Sequence, residues 1–207
     1  MLIKINNREY LNHNHCLYNN RIMRGSYKLA GDDELVKASL DGDKLAFGEI
    51  VNRYRKMVAR TVKGMLGDSV YAEDIGQEVF INLYNSLPGF RGEAKLSTYI
   101  QRIAVNLTLN EIKRRKRFFS LFSHKGNEEM SEVEIADSGT EEKVEAKEIV
   151  NKALSSLDPK FRIVVTMRLL QGYSTKETAE ILNLPLGTVL SRLSRAQEQL
   201  KEKLKML

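Results

Sequence analysis

The chain has 207 residues, 42% of them hydrophobic, and carries a net charge of +6 with one cysteine and three prolines. This length holds one domain of ordinary size or two small ones, and the single cysteine excludes an internal disulfide. Strand-like alternation is scarce and no uncharged apolar run is long enough to cross a bilayer. The sequence therefore predicts an all-α, cytoplasmic protein without direct membrane insertion.

The N-terminal segment, residues 1–30, is rich in asparagine and lacks a helical period. We expect a disordered extension, with Met23 as an alternative start to Met1. Three potential metal ligands lie close together here, namely His13, His15 and Cys16. No second ligand pair follows at zinc-site spacing, so neither a metal nor another cofactor is expected.

The first two predicted helices begin at aspartates. Asp32 or Asp33 is expected to cap a short helix that ends near Gly42, and Asp43 is expected to open a longer one. Gly67 then interrupts the helical period.

The third predicted helix runs from about Ser69 to Ser86. Apolar side chains share one face of it, namely Ala72, Val79, Leu83 and Leu87. A different face carries Asp74, Gln77 and Glu78, for which a solvated acidic patch is one possible interpretation.

A loop at 88–92 precedes the fourth predicted helix, for which Ser97 is the expected cap and Arg117 the approximate end. This helix closes with five consecutive cations at 113–117. Such a run either contacts phosphates or is simply solvated, and the sequence leaves both possibilities open.

The distribution of charge divides the chain into three blocks. Residues 1–125 hold 21 lysines and arginines against 13 acidic residues, residues 126–150 hold 2 against 9, and residues 151–207 hold 10 against 5. The acidic stretch has turn-forming residues and no sustained period, so a flexible linker is predicted at 118–140 between two basic domains. A solvated loop is the alternative.

The C-terminal part has the pattern of a helix-turn-helix. Ser174 and Glu177 form a capping box, and the stretch at 183–185 interrupts the helix before a second one begins. The second helix has an apolar stripe of Val189, Leu193, Ala196, Leu200 and Leu204, opposite Thr188, Ser191, Arg192, Arg195 and Gln199. This polar face suits a DNA major groove, because arginine can donate two hydrogen bonds to guanine. A packed helical hairpin with a solvated polar face is the alternative.

Motifs in both halves of the chain resemble those of bacterial sigma factors. The segments DIGQEVF at 74–80, FRG at 90–92 and LSTYIQRIAVN at 96–106 are similar to their second conserved region. The segments LDP at 157–159, STKETA at 174–179 and PLGTVLSRLSRA at 185–196 are similar to their fourth. No third region separates them, so the chain is most similar to the extracytoplasmic-function (ECF) group, with region 2 at 31–117 and region 4 at 141–207.

The resemblance implies a promoter-specificity subunit, not an enzyme, that binds core RNA polymerase and directs transcription initiation at promoter DNA. In the family, an Asp-x-x-Gln-Glu helix docks on a coiled coil of the largest polymerase subunit, which implies contacts by Asp74, Gln77 and Glu78 here. Carboxylates on an otherwise basic domain fit a basic protein partner.

Region 2 would melt and read the -10 promoter element, with one base turned out into a pocket. The family pattern implies contacts by Phe90, Arg91, Ser97, Thr98, Tyr99 and Asn106, with Lys113, Arg114 and Arg117 on the DNA backbone. Tyr99 departs from the tryptophan that is usual in this group. Tyrosine can also stack on a base, and packing in the core is its alternative role.

Region 4 would read the -35 element. The family pattern implies contacts by Gly187, Thr188, Leu190, Ser191, Arg192 and Arg195. Leu190 departs from the usual basic residue, so it either touches a thymine methyl or loses one phosphate contact. Each domain is expected to bind weakly alone, and the tether compensates through a millimolar effective concentration.

Two further expectations concern partners and class. Family members are commonly held inactive by an anti-sigma factor, often membrane-bound, so such a partner is expected here. An ordinary helix-turn-helix regulator is the alternative function, and it would need a ligand-binding or dimerising domain in place of the docking motif. The sequence contains neither a phosphate-cradling loop nor a nucleophile elbow, so no motif indicates an enzyme.

Overall fold

The computed structural model describes residues 27–67, 69–122 and 149–205. All regular elements within these ranges are helical, which confirms the predicted all-α class. The two alternative start codons, the three potential metal ligands near residue 15 and most of the predicted extension and linker lie outside the described residues.

The chain divides into two compact units. The first contains the described residues up to Tyr54 together with Ser86–Gly92, and the second contains Arg55–Asn85 and the described residues from Glu93 onward.

The first unit contains α1 (Asp32–Leu40), the beginning of α2 (Lys44–Leu66) and a 3-10 turn at Leu87–Gly89. The expectation that Asp32 or Asp33 caps α1 was wrong, because Gly31 is the N-cap and no side chain bonds the helix start. Asp32 instead accepts hydrogen bonds from Arg53 Nη1, at 2.7 Å, and from the Tyr54 hydroxyl. A charged partner offers the carboxylate a stronger hydrogen bond than a helix N–H group.

The start of α2 confirms the predicted cap. Asp43 Oδ1 accepts hydrogen bonds from the backbone N–H groups of Leu45, at 2.7 Å, and Ala46, at 3.4 Å. The Tyr27 hydroxyl donates to the other carboxylate oxygen at 2.8 Å and lowers the pKa of Asp43.

The second unit contains the end of α2, most of α3 (Val70–Ser86) and α4 (Leu96–Phe122). Helix α4 begins one residue before Ser97, so the expected cap lies in the first turn instead. It also continues past Arg117 into the first residues of the predicted linker, because no glycine or proline follows the run of cations to stop it.

The C-terminal helices complete the second unit. A helix covers 149–155 (α5), and α6 (Pro159–Val165) continues as a π-helical turn at Thr166–Leu170. They are followed by α7 (Thr175–Leu182) and α8 (Leu186–Leu204).

The predicted helix-turn-helix is confirmed in detail. Ser174 Oγ accepts a hydrogen bond from Glu177 N at 3.2 Å, and Glu177 Oε2 accepts one from Ser174 N at 2.8 Å. Hydrogen bonding of the Glu177 carboxylate to the Ser174 side chain and to the Ser174 backbone N–H lowers the pKa of Glu177. Asn183 ends α7 in the left-handed conformation, with φ of 50°, which asparagine tolerates better than most residues.

The apolar stripe of α8 is shorter than predicted. Val189 and Ala196 are buried, and Leu193 and Leu200 pack beside them. Leu204 remains 49% exposed, because the last turn of α8 extends beyond the cluster that buries the rest of the stripe.

A buried apolar cluster joins the early and late helices of the second unit. Met65 of α2 and Val105 of α4 share a buried cluster with residues of the C-terminal helices, namely Ile163, Val164, Met167, Ile181 and Val189. Within the described ranges, no helix combines the length and apolarity needed to cross a membrane, and no group of three potential metal ligands occurs.

Candidate polymerase and nucleic-acid interfaces

Helix α3 presents an anionic face to solvent. Asp74, Gln77 and Glu78 are all exposed and lie at helical spacings of three and four residues, so the structure brings them together on one face. The opposite side is buried through Val79 and Leu83. The polar face is therefore held outward by core packing and is accessible to a partner.

An apolar residue that was not predicted from the sequence as a functional residue extends this face. Ile81 is 60% exposed and follows Asp74 by seven residues and Glu78 by three, which places it on the same face. It could have been recognised in the sequence, because an isoleucine stands there at a helical position otherwise occupied by polar residues. An exposed isoleucine bordered by carboxylates resembles the apolar centre and polar rim of protein interfaces.

The residues predicted to handle the -10 element lie on two elements. Phe90 is half-buried and Arg91 is exposed, both in the segment that follows the 3-10 turn of the first unit. In the second unit, Ser97, Thr98 and Tyr99 are half-buried in the first turn of α4, and Asn106 is exposed two turns later. A half-buried Tyr99 is compatible with both roles considered for it.

The basic end of α4 is organised by an acidic residue that the sequence analysis passed over. Glu111 is 8% exposed and accepts two hydrogen bonds from Arg114, at 2.7 and 2.8 Å, and one from Arg115, at 3.0 Å. Arg115 lies over the Tyr71 ring at 4.1 Å. The spacing of three and four residues was the available signal.

These bonds fix the charge state of the cluster. The hydrogen bonds from Arg114 and, after them, from Arg115 lower the pKa of Glu111 to about 2, against the opposing effect of its burial. Arg114 is thereby held in one orientation with part of its charge already balanced, while Lys113 and Arg117 are exposed on the same helix. Of the three residues predicted to contact the DNA backbone, Arg114 is the one whose side-chain orientation is fixed by the hydrogen bonds to Glu111.

Replacement of Glu111 by glutamine is expected to lower the free energy of unfolding by about 1–2 kcal/mol at pH 7. The pKa difference from 4.5 to about 2 corresponds to about 3 kcal/mol, and solvent around the exposed Arg114 reduces this. The measurement is urea unfolding followed by circular dichroism, with the exposed Glu198→Gln as control.

The pH dependence of the same variant is a second readout. Because the folded-state pKa of Glu111 is depressed, its stabilisation is complete above pH 4.5 and is lost as the pH falls towards 2. The stability difference between Glu111→Gln and the unmodified chain should shrink over that window. A difference that stays constant down to pH 3 would contradict this role.

Helix α8 carries the residues that were predicted to contact the -35 element. Gly187, Leu190, Ser191 and Arg195 are exposed, and Thr188 and Arg192 are half-buried. Ser191 Oγ donates a hydrogen bond to the Thr188 carbonyl oxygen at 3.1 Å. No side chain caps the helix start, so this end of α8 retains backbone N–H groups that suit an anionic phosphate.

Comparisons with known proteins agree with these features. The family profile of Sigma-70 region 2 matches residues 50–118, and that of Sigma-70 region 4 matches residues 147–200. The chain is 33% identical to the ECF RNA polymerase sigma factor SigW of Bacillus subtilis, over 83% of this chain and 96% of SigW. It is 34% identical to the ECF RNA polymerase sigma-E factor of Haemophilus influenzae, over 85% of this chain and 96% of that protein.

A solved structure shares the fold. The sigma factor RpoE from Bartonella quintana, crystallised in complex with the anti-sigma factor NepR, superposes with a TM-score of 0.62 at 21% identity, covering 77% of this chain and 96% of RpoE. Two region profiles in the family's order and relatives above 30% identity over most of the chain are decisive. The chain belongs to the ECF sigma factors, the promoter-specificity subunits of RNA polymerase.

Proposed function

We propose that the chain docks on core RNA polymerase through Asp74, Gln77, Glu78 and Ile81 of α3. The observation that carries this proposal is the exposed anionic and apolar face on a chain whose net charge is +6. Carboxylates on that face would be repelled by DNA phosphates but attracted by a basic protein surface. Ile81 would supply apolar burial at the centre of the contact.

The contacts with promoter DNA would be made by two other surfaces, one formed by α4 and the segment before it and the other by α8. Phe90, Arg91, Ser97, Thr98, Tyr99 and Asn106 would bind the melted -10 element, and Lys113, Arg114 and Arg117 would hold its backbone. Gly187, Thr188, Leu190, Ser191, Arg192 and Arg195 would bind the -35 element. The exposure of Ser191 and Arg195 on α8, a helix whose start no side chain caps, supports the second assignment.

The chain would consist of two conserved regions joined by a linker. Residues 31–117 would form region 2, residues 141–207 region 4, and residues 118–140 the linker, whose first residues continue α4, after an extension at 1–30. The chain would act in the cytoplasm, where the polymerase works, and would have no catalytic activity of its own. The complex of RpoE with NepR supports an anti-sigma factor as a further partner.

The experiment is transcription in vitro with sigma-free core polymerase and a promoter library. Addition of the purified chain should start transcripts at a defined subset of promoters, which is a sigma activity that an ordinary helix-turn-helix regulator lacks. If transcripts appear only when another sigma factor is also supplied, the regulator is the correct function.

A further inference from the structure

The five cations at the end of α4 lie on different sides of the helix. At about 100° per residue, Lys113 and Arg117 lie within about 20° of Asn106 around the helix axis. Arg114 lies about 80° from Asn106, and Arg115 about 180° from it. Arg114 therefore borders the face that carries the predicted -10 contact at Asn106, whereas Arg115 lies on the opposite side.

Arg115 is used inside the fold. Its guanidinium lies 4.1 Å from the centre of the Tyr71 ring, at the start of α3, and its Nε donates to Glu111 Oε1 at 3.0 Å. Its Nη2 is buried and has no hydrogen-bond partner among the described residues. The side chain is 31% exposed, against 68% for Arg114. A cation stacked on a ring in this way ties the end of α4 to the start of α3.

Glu111 holds Arg114 by one edge of its guanidinium. Arg114 Nε donates to Glu111 Oε2 at 2.7 Å, and Arg114 Nη2 donates to Glu111 Oε1 at 2.8 Å. Both hydrogens of Nη1 and the second hydrogen of Nη2 remain, and they form another edge with the same fork geometry. A fork of two N–H groups matches the oxygens of a carboxylate or a phosphate. Because the Arg114 side chain is largely exposed, this second edge is accessible to a ligand.

The charge around Arg114 selects an anion as that ligand. Five cations against one carboxylate leave a charge of +4 within residues 111–117. The hydrogen bonds from Arg114 and then from Arg115 lower the pKa of Glu111 to about 2, so the carboxylate stays ionised and keeps both arginines at neutral pH. The cations thus supply the attraction, and Glu111 supplies the direction of one of them.

We propose that Glu111 is a positioning residue for promoter binding, which holds Arg114 by one edge of its guanidinium so that the other edge binds a phosphate of the DNA backbone. The held geometry follows from the contacts alone, whereas DNA as the ligand rests on the proposed function. Arg114 lies about 12 Å along α4 from Asn106. At B-form spacing, its phosphate would lie three or four nucleotides from the base at Asn106.

This role predicts an effect opposite to that of net charge. Glu111→Gln removes a negative charge beside the DNA backbone, so electrostatics alone would strengthen promoter binding. Loss of the held orientation should instead weaken binding about fivefold, because the long Arg114 side chain would then be ordered only when DNA binds.

The first experiment uses the free full-length chain with nitrogen-15 in its arginine side chains. By nuclear magnetic resonance, the Nε–H of Arg114 should exchange with water more slowly than that of the exposed Arg117. Single-stranded DNA of about 12 nucleotides should shift the Arg114 signal, and should shift it less in Glu111→Gln at the same DNA concentration. Equal exchange at the two arginines, or an equal response to DNA in the two chains, overturns the proposal.

The second experiment is a double-mutant cycle with core polymerase carrying the full-length chain. The measured quantity is the dissociation constant for a promoter selected from the library. Arg114→Ala should weaken binding about tenfold, as loss of a charge-assisted contact does, and Glu111→Gln about fivefold. The double variant should bind no more weakly than Arg114→Ala, because Glu111 acts through that arginine. Independent losses that multiply to about 50-fold would overturn the positioning role.

Matched variants separate this role from charge and from folding. Lys116→Ala removes an exposed cation from the same run and should weaken promoter binding less than threefold. Glu34→Gln makes the same charge change as Glu111→Gln at an exposed position on α1, and should not weaken binding. The dissociation constant for core polymerase should be the same in all variants, since a partly unfolded chain would lose that contact as well.

Failure of this inference differs from failure of the proposed function. If the unsubstituted chain forms no promoter complex with core polymerase, the proposed function is wrong, and the resonance measurements on the free chain still decide whether Glu111 directs Arg114 towards phosphate. If promoter complexes form but Glu111→Gln leaves them unchanged or strengthens them, the positioning role is wrong and the proposed function stands.

Discussion

Glu78→Lys is expected to weaken association with core polymerase about 100-fold. The side chain is exposed on the anionic face of α3, so the substitution removes an attraction to a basic surface and adds a repulsion in its place. Like charges placed opposite each other across an interface cost several kcal/mol, and about 2.7 kcal/mol corresponds to the expected change. The measurement is the dissociation constant of the labelled chain and core polymerase at fixed salt.

The control for this prediction is Asp41→Lys, which makes the same charge change at an exposed position on another helix. Asp41 is the C-cap of α1, where a cation is tolerated well. Its dissociation constant should change less than threefold, and neither variant should change the melting temperature by more than a few degrees. Equal weakening by the two substitutions would mean that net charge, and not the face of α3, governs docking.

Arg192→Ala combined with Arg195→Ala is expected to abolish most of the benefit of a -35 element. Each arginine that forms two hydrogen bonds to a base contributes about 1–3 kcal/mol of discrimination, so the pair accounts for about 100-fold. The measurement is the ratio of transcription from a promoter with an intact -35 element to transcription from one with a scrambled element. The ratio should fall towards one, while the dissociation constant for core polymerase stays the same.

Lys201→Ala combined with Lys203→Ala is the matched control, since it removes two cations from the last turn of the same helix. If this control lowers the transcription ratio as much as the arginine pair does, the effect comes from general phosphate attraction. A ratio that survives the loss of both arginines would show that this face of α8 does not read the -35 element.

Most helices of this protein could be predicted from its sequence, because their signals are local. The capping box of Ser174 and Glu177 and the cap at Asp43 join atoms only two or three residues apart. The exposed face of α3 followed from helical periodicity, since burial of Val79 and Leu83 on one side leaves the opposite side outside. Such features need no knowledge of which other helix is nearby.

The prediction missed a distant partner at one position and local features at two others. Asp32 looked like a cap but binds Arg53, which lies 21 residues away. Ser97 looked like the cap of α4, yet the helix begins at Leu96. Glu111 was hidden among cations, although its burial makes it the organising residue of that cluster.

The sequence by itself therefore determined the helical class, the two conserved regions and the polar residues of the exposed faces. Only the tertiary structure decided which segments cover one another. Gln101 and Gln171 are 70 residues apart, Met65 and Arg162 are 97 apart, and Gly64 and Thr166 are 102 apart. The physical reason is that a helical period tells which face is apolar, whereas the identity of the surface that covers it depends on packing among residues far apart in the chain.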